Sequence, residues 1–173
     1  MMRIFYSSVY FLVLILMVPA CKSKESGMLH VGDIEFDPST DNPDFKICGP
    51  RIFQYYNFEK GNFSLDKKLI RKHFADRFKK GGEGAGQTGY ITIRFVVNCQ
   101  GEADRYRIYE IDRELIETKF DKALKNQILA LTKELKGWKP GEFQVLRNRP
   151  GKFDFYQYLT FKIHEGELID ILP

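Results

Sequence analysis

Residues 90–101 read YITIRFVVNCQG, and this segment limits the possible folds more than any other. Ile91, Ile93, Phe95 and Val97 alternate with Tyr90, Thr92, Arg94 and Val96. A period of two puts the first set on one side of a strand and the second set on the other. Large apolar residues repeated along one side need a cover, so the strand belongs to a sheet packed on at least one face. Asn98-Cys99-Gln100-Gly101 then reads as a hairpin turn, because its glycine tolerates positive φ. The chain returns over Ala103–Ile111 as a second strand, with Tyr106 and Ile108 toward the core.

Two helical patterns can supply the cover. Thr118 opens one, with Asp121 as its capping partner. Phe120, Leu124, Ile128, Leu131 and Leu135 then recur at helical spacing and form one apolar stripe. Gly137 ends this helix, and Pro140 prevents its continuation. The other helix begins at Ser64, a cap for free amides, with Asp66 near the positive end of the dipole. Leu65, Leu69, Phe74 and Phe78 fall near one face with Ile70 beside them, while Lys67, Lys68, Arg71 and Lys72 line another. Gly81-Gly82 stops it.

Further on, Phe143–Leu146 reads as a short strand and Arg147-Asn148-Arg149-Pro150-Gly151 as a turn. Phe153–Ile163 is the longest strand. Its two faces carry Phe155, Leu159, Phe161 and Ile163, and Tyr156, Tyr158, Thr160 and Lys162. The order is helix, strand, strand, helix, strand, strand (α-β-β-α-β-β). That predicts an α+β, two-layer domain in which helices pack on a small antiparallel sheet. Residues 166–173 are expected to be a tail.

The N-terminus bears on compartment. Arg3 precedes an uncharged, mostly apolar run from Ile4 to Val18, which falls short of the roughly 20 apolar residues of a membrane span. Val18-Pro19-Ala20-Cys21 follows and resembles a bacterial lipobox, so residues 1–20 are expected to be a lipoprotein signal and Cys21 the lipidated residue. The polar residues 21–43 are expected to be a tether. Two cysteines remain, Cys48 and Cys99. In an oxidising compartment they suit a disulfide; two unpaired thiols are the alternative. His30, His73 and His164 are scattered, so no metal site and no cofactor are expected. A formal net charge of +4 over 173 residues is too dilute for a nucleic-acid domain.

Residues 44–63 gather Phe45, Phe53, Tyr55, Tyr56, Phe58 and Phe63 into an aromatic strap. It either packs on the domain or presents a binding surface. The basic helix face either meets solvent or contacts phosphate or lipid headgroups. Gly84-Ala85-Gly86-Gln87-Thr88-Gly89 matches a dinucleotide fingerprint in letters only. That motif follows a strand and opens a helix, whereas these glycines follow a helix and open a strand.

Several pieces coincide in order. They are Gly89 with the strand ending Phe95-Val96-Val97-Asn98, the hairpin glycine Gly101, a helix ending in Trp138-Lys139-Pro140-Gly141, and a long strand ending in Phe161-Lys162-Ile163. Together, over Ser64–Ile163, they resemble the C-terminal domain of TonB and its relatives. The resemblance implies that residues 64–165 form that domain. It implies that Trp138, Pro140 and Gly141 anchor the helix to the sheet and fix the following strand. It also implies a partner-binding edge at Phe143, Gln144, Val145, Leu146, Arg147 and Arg149. There an extended peptide, such as the TonB box of an outer-membrane receptor, would add as a strand. The chain lacks the long Pro-rich linker of an energy transducer, with only 7 prolines in all.

The expected function is that of a lipid-anchored envelope protein, most simply on the outer membrane facing the periplasm, that binds a protein or peptide by strand addition. Two alternatives stand beside it: a structural lipoprotein whose edge the strap blocks in cis, and a true transducer with an uncleaved anchor. No nucleophile–base or paired-carboxylate arrangement is recognisable, so no enzymatic activity is expected.

Overall fold

A computed structural model of the chain describes residues 33–54, 65–80, 86–142 and 151–172. The alternating segment forms β2 (Gly89–Val97), and its return forms β3 (Ala103–Asp112). An earlier strand, β1 (Ile52–Gln54), comes from the strap. Between β2 and β3 the Asn98 side chain organises the turn. Its Oδ1 accepts the N–H groups of Gln100 and Glu102, at 2.9 and 3.0 Å. Gly101 takes φ +81°.

The long strand is β5 (Lys152–His164), the hub of the sheet. Along one side it pairs antiparallel with β2, setting Ile91 opposite Phe161, Ile93 opposite Leu159 and Val97 opposite Phe155. This register merges two apolar faces into one. Its other side holds β1 at Asp154–Tyr156 and β6 (Glu167–Leu172) at Thr160–His164. β4 (Gly141–Glu142) pairs with Phe153 and Lys152. Because β1 runs parallel to β5, the sheet is mixed, where an antiparallel one was expected. Residues 166–173 are also more than a tail. Glu165 and Gly166 both take positive φ, the geometry of a two-residue hairpin turn, and β6 folds back on β5.

Two helices cover the merged apolar face. α2 (Lys122–Glu134) is capped by Asp121, whose carboxylate accepts the N–H groups of Ala123 and Leu124. It starts later than expected from Thr118. Residues 116–118 instead run along β3, with Thr118 N–H donating to Glu110 O and Glu117 bridging Ile111. The stripe Phe120, Leu124, Ile128, Leu131 and Leu135 is buried throughout. α1 (Lys67–Arg77) is capped by Asp66, not Ser64, and points Ile70 and Phe74 inward. Leu69, expected on that face, is 56% exposed. At 100° per residue it lies roughly 140° around the helix from Phe74, so the two cannot share a face. Rings close the core: Phe74 on Phe161 at 4.8 Å and Phe95 against Trp138 at 5.1 Å.

The opposite face of the sheet carries a smaller cluster. Ile34, Val96 and Tyr156 are buried together, with Phe45 and Ile52 packed against them. The polar stretch expected to be a tether up to residue 43 is therefore part of the packed unit from Ile34 onward. Asp37-Pro38-Ser39-Thr40-Asp41 forms a turn, with Asp37 Oδ1 accepting from Ser39 N–H and Asp41 Oδ2 accepting from Asp37 N–H. Arg107 on β3 clamps it, donating from both terminal nitrogens to the Asp41 carboxylate at 2.8 Å. This bidentate pair holds the Asp41 carboxyl at a pKa of about 2, against burial, which alone would raise it.

Candidate functional site

Cys48 and Cys99 are joined in a disulfide. It ties the strap to the β2–β3 turn, and a buried carboxylate organises the junction. Asp154 on β5 accepts the N–H groups of Cys48 and Gly49 on one oxygen, at 2.7 and 3.0 Å, and that of Cys99 on the other, at 2.8 Å. Three donors match the demand of a desolvated acid. Cys48 Sγ, Cys99 Sγ and an Asp154 oxygen lie within 4.8 Å of one another. With both sulfurs bonded to each other, the cluster offers no thiolate for a metal. Sequence reasoning did not single out Asp154. Its position in an aromatic strand, FDFYQY, was the available signal.

Trp138 is 4% exposed and packs on Phe95. Its carbonyl faces the hairpin at Gly101, which has no room for a Cβ there, and Pro140 lies beside the same glycine. Gly141 likewise sits under the Phe153 ring, where a side chain would collide. These three residues thus join the exit of α2 to the β2–β3 turn and to the start of β5. Among the described residues Trp138 Nε1 is buried without an acceptor, so the indole contributes shape rather than a hydrogen bond.

Strand edges decide what the sheet can bind, since each edge exposes main-chain donors and acceptors. The edge of β3 is obstructed at several points. Arg107 Nη1 donates to Tyr106 O at 3.0 Å, residues 116–118 pair with its end, and a bulge at Arg105, at φ 59°, breaks the run. β5 has partners on both sides. The strap is one of them, so the aromatic segment occupies part of a sheet edge in cis through β1.

β6 is a further edge: like β1 and β3, it pairs with a single strand among the described residues, in its case β5. Beside it, α1 overhangs to form a groove of about 400 Å³, lined by Arg71, Phe74, Ala75 and Phe78 and by β6 itself. Ile169, 50% exposed, sits in this groove and is the bulged residue of β6, since Leu168 and Asp170 oppose adjacent residues of β5. Arg71 and Asp170 form an ion pair at 2.8 Å across the groove, and Lys80 pairs with Glu167. The N–H of Ile171, helped by Arg71 and Lys67, holds the Asp170 carboxyl below its usual range.

Cys21 and the expected edge residues Phe143, Gln144, Val145, Leu146, Arg147 and Arg149 lie outside the described residues. So does the strap beyond Gln54. Among the described residues no helix is long and apolar enough to cross a membrane. Compared with known protein families, curated proteins and solved structures, the chain matches none of them.

Proposed function

We propose that this chain is a lipid-anchored cell-envelope protein with a TonB C-terminal-like domain. In this reading the domain binds an extended segment of another envelope protein by β-strand addition, in the service of TonB-dependent outer-membrane transport. One observation carries the docking role: β6 has a strand neighbour on one side only among the described residues, and a side-chain groove runs beside it. Main-chain pairing would supply affinity and the groove selectivity. The Cys48–Cys99 bond fits an oxidising envelope compartment, and the lipid on Cys21 would hold the domain at the outer membrane, facing the periplasm.

Pull-down from envelope extract with the mature domain, followed by cross-link mapping, tests the reading. The expected result is an extended segment cross-linked to a strand edge, with slowed amide exchange on β6. Recovery of no strand-like ligand, with β6 amides unchanged, rejects it. Mature protein beginning at an acylated Cys21 would also end the transducer alternative.

A second reading draws on β1. The strap pairs with β5 and is fastened by the disulfide, which supports a structural lipoprotein whose strap covers part of a sheet edge in cis. Binding that arises only after residues 44–54 are removed would favour it.

A further inference from the structure

We propose that the Cys48–Cys99 bond is a redox-operated latch: a dithiol that reduces it frees the strap from the sheet while the rest of the domain stays folded. The inference stands apart from the docking reading and does not need it. It begins with how lightly the strap is packed. Among its described residues, from Asp44 to Gln54, none is buried. The main core receives one of its side chains, Phe53, and the smaller cluster receives Phe45 and Ile52, all three only partly buried. β1 pairs with β5 over three residues. The buried members of the main core all lie from Ile70 onward, so that core forms without the strap. Segments with few buried apolar contacts are the ones that open while the remainder stays folded.

The hold is concentrated between Lys46 and Gly49. Lys46 O accepts from Asn98 Nδ2 at 3.0 Å. Cys48 and Gly49 donate to one oxygen of Asp154, and Cys99 donates to the other. The disulfide fastens this cluster covalently, and a covalent tether raises the effective concentration of every tie beside it. Without the tether, a handful of hydrogen bonds and a short ladder must hold an exposed segment alone. The bond is also within reach, since Cys48 is exposed and Cys99 partly so. A thiolate of the dithiol attacks Cys48 Sγ and forms a mixed disulfide. The Cys48–Cys99 bond breaks, and its electron pair leaves on Cys99 Sγ, which takes up a proton. The second thiolate of the dithiol then attacks the first sulfur and displaces Cys48, which is protonated in turn. Two electrons and two protons pass to the cysteines, and the dithiol becomes a disulfide. Opening removes two of the three donors from Asp154, which is 0% exposed in the closed state, and gives it water in exchange. Oxidation can restore the closed state because one carboxylate seats the amides of both cysteines.

Trypsin digestion of the folded chain, with and without dithiothreitol, tests the latch. Lys46 and Arg51 are exposed residues of the strap, while Lys125 and Lys133 in α2 report on the domain. Cleavage in a segment that opens and recloses quickly tracks its open population. Reduction is expected to speed cleavage at Lys46 and Arg51 by at least about ten-fold. Over the same period α2 should stay uncut and Trp138 should keep its blue-shifted emission. Cys48→Ser/Cys99→Ser should be cut like the reduced parent and should not respond to dithiothreitol. Reoxidation of the parent should restore its resistance. Strap cleavage that reduction leaves unchanged overturns the inference, and so does a bond that dithiothreitol leaves intact in the folded protein. Cleavage of α2 as fast as the strap, with red-shifted Trp138 emission, overturns it in favour of a disulfide that the whole fold requires. None of these outcomes touches the docking reading, which the envelope pull-down decides separately.

Discussion

The carbonyl of Trp138 fills the space where a side chain on Gly101 would begin. The exit of α2 and the β2–β3 turn are thereby locked by backbone contact, which ties a helix to a hairpin far from it in sequence. Gly101 is also at φ +81°. Gly101→Ala should therefore incur backbone strain and a collision at once, at more than about 2 kcal/mol. Urea unfolding of the oxidised protein measures it. A loss below about 0.5 kcal/mol would mean that the contact is easily relaxed.

Trp138 itself separates shape from polarity. Its Nε1 has no acceptor among the described residues, so Trp138→Phe should give up no hydrogen bond and cost only the lost volume, about 1–2 kcal/mol. Trp138→Ala should cost about 3–5 kcal/mol. Because this is the only tryptophan, its blue-shifted emission reports unfolding directly.

The disulfide closes a loop with a sequence separation of 51 residues. In the chain-entropy account this is worth about 4 kcal/mol. The double variant Cys48→Ser/Cys99→Ser should lower the urea midpoint accordingly, and reduction of the parent should reproduce the loss. Equal midpoints with and without reductant would contradict this account. Thiol labelling of the denatured, unreduced protein should leave both cysteines unreacted.

Asp41 and Arg107 predict a response to acid. The Asp41 carboxyl has a folded pKa of about 2, below its ordinary 3.8. A depressed carboxylate stabilises the fold above its unfolded pKa and loses that contribution as pH falls through the folded one. About 2 kcal/mol should thus be present above pH 5 and disappear between about pH 4 and pH 2. Asp41→Asn should flatten this part of the stability–pH curve. Arg107→Ala, which strands a carboxylate whose side chain is 1% exposed, should cost about 3 kcal/mol at neutral pH.

Two neighbours on α1 give a sharper comparison. Ile70→Ala should cost about 2–4 kcal/mol because the side chain is buried. Leu69→Ala should change stability by less than about 0.5 kcal/mol. Thermal unfolding of the pair checks which face meets the sheet.

What the sequence made legible follows from period. The alternation of β2, the stripe on α2 and the alternation of β5 each bury on the expected side, because burial of several residues at one spacing leaves little choice. Faces built from two short halves were less secure. Leu65 precedes α1, so grouping it with Leu69 misdirected the helix, and the single turn from Ile70 to Phe74 held the true face. β6 was missed because its inward residues are few, and only its hairpin turn, Glu165-Gly166, signalled it. Polarity hid the Asp37–Asp41 turn, whose stability comes from side-chain caps and Arg107 rather than from apolar burial. The α1–β6 groove arises from the meeting of two distant segments, which no local pattern encodes.

The strap imposes an order on assembly. Among the described residues its strand β1 pairs only with β5, and the amides at Cys48 and Gly49 donate to the carboxylate of Asp154, more than 100 residues later in the chain. A polypeptide that emerges N-terminus first cannot dock this segment until nearly all of it has been delivered. The early aromatic stretch must then wait, open to premature association, while the hairpin and both helices can already have formed.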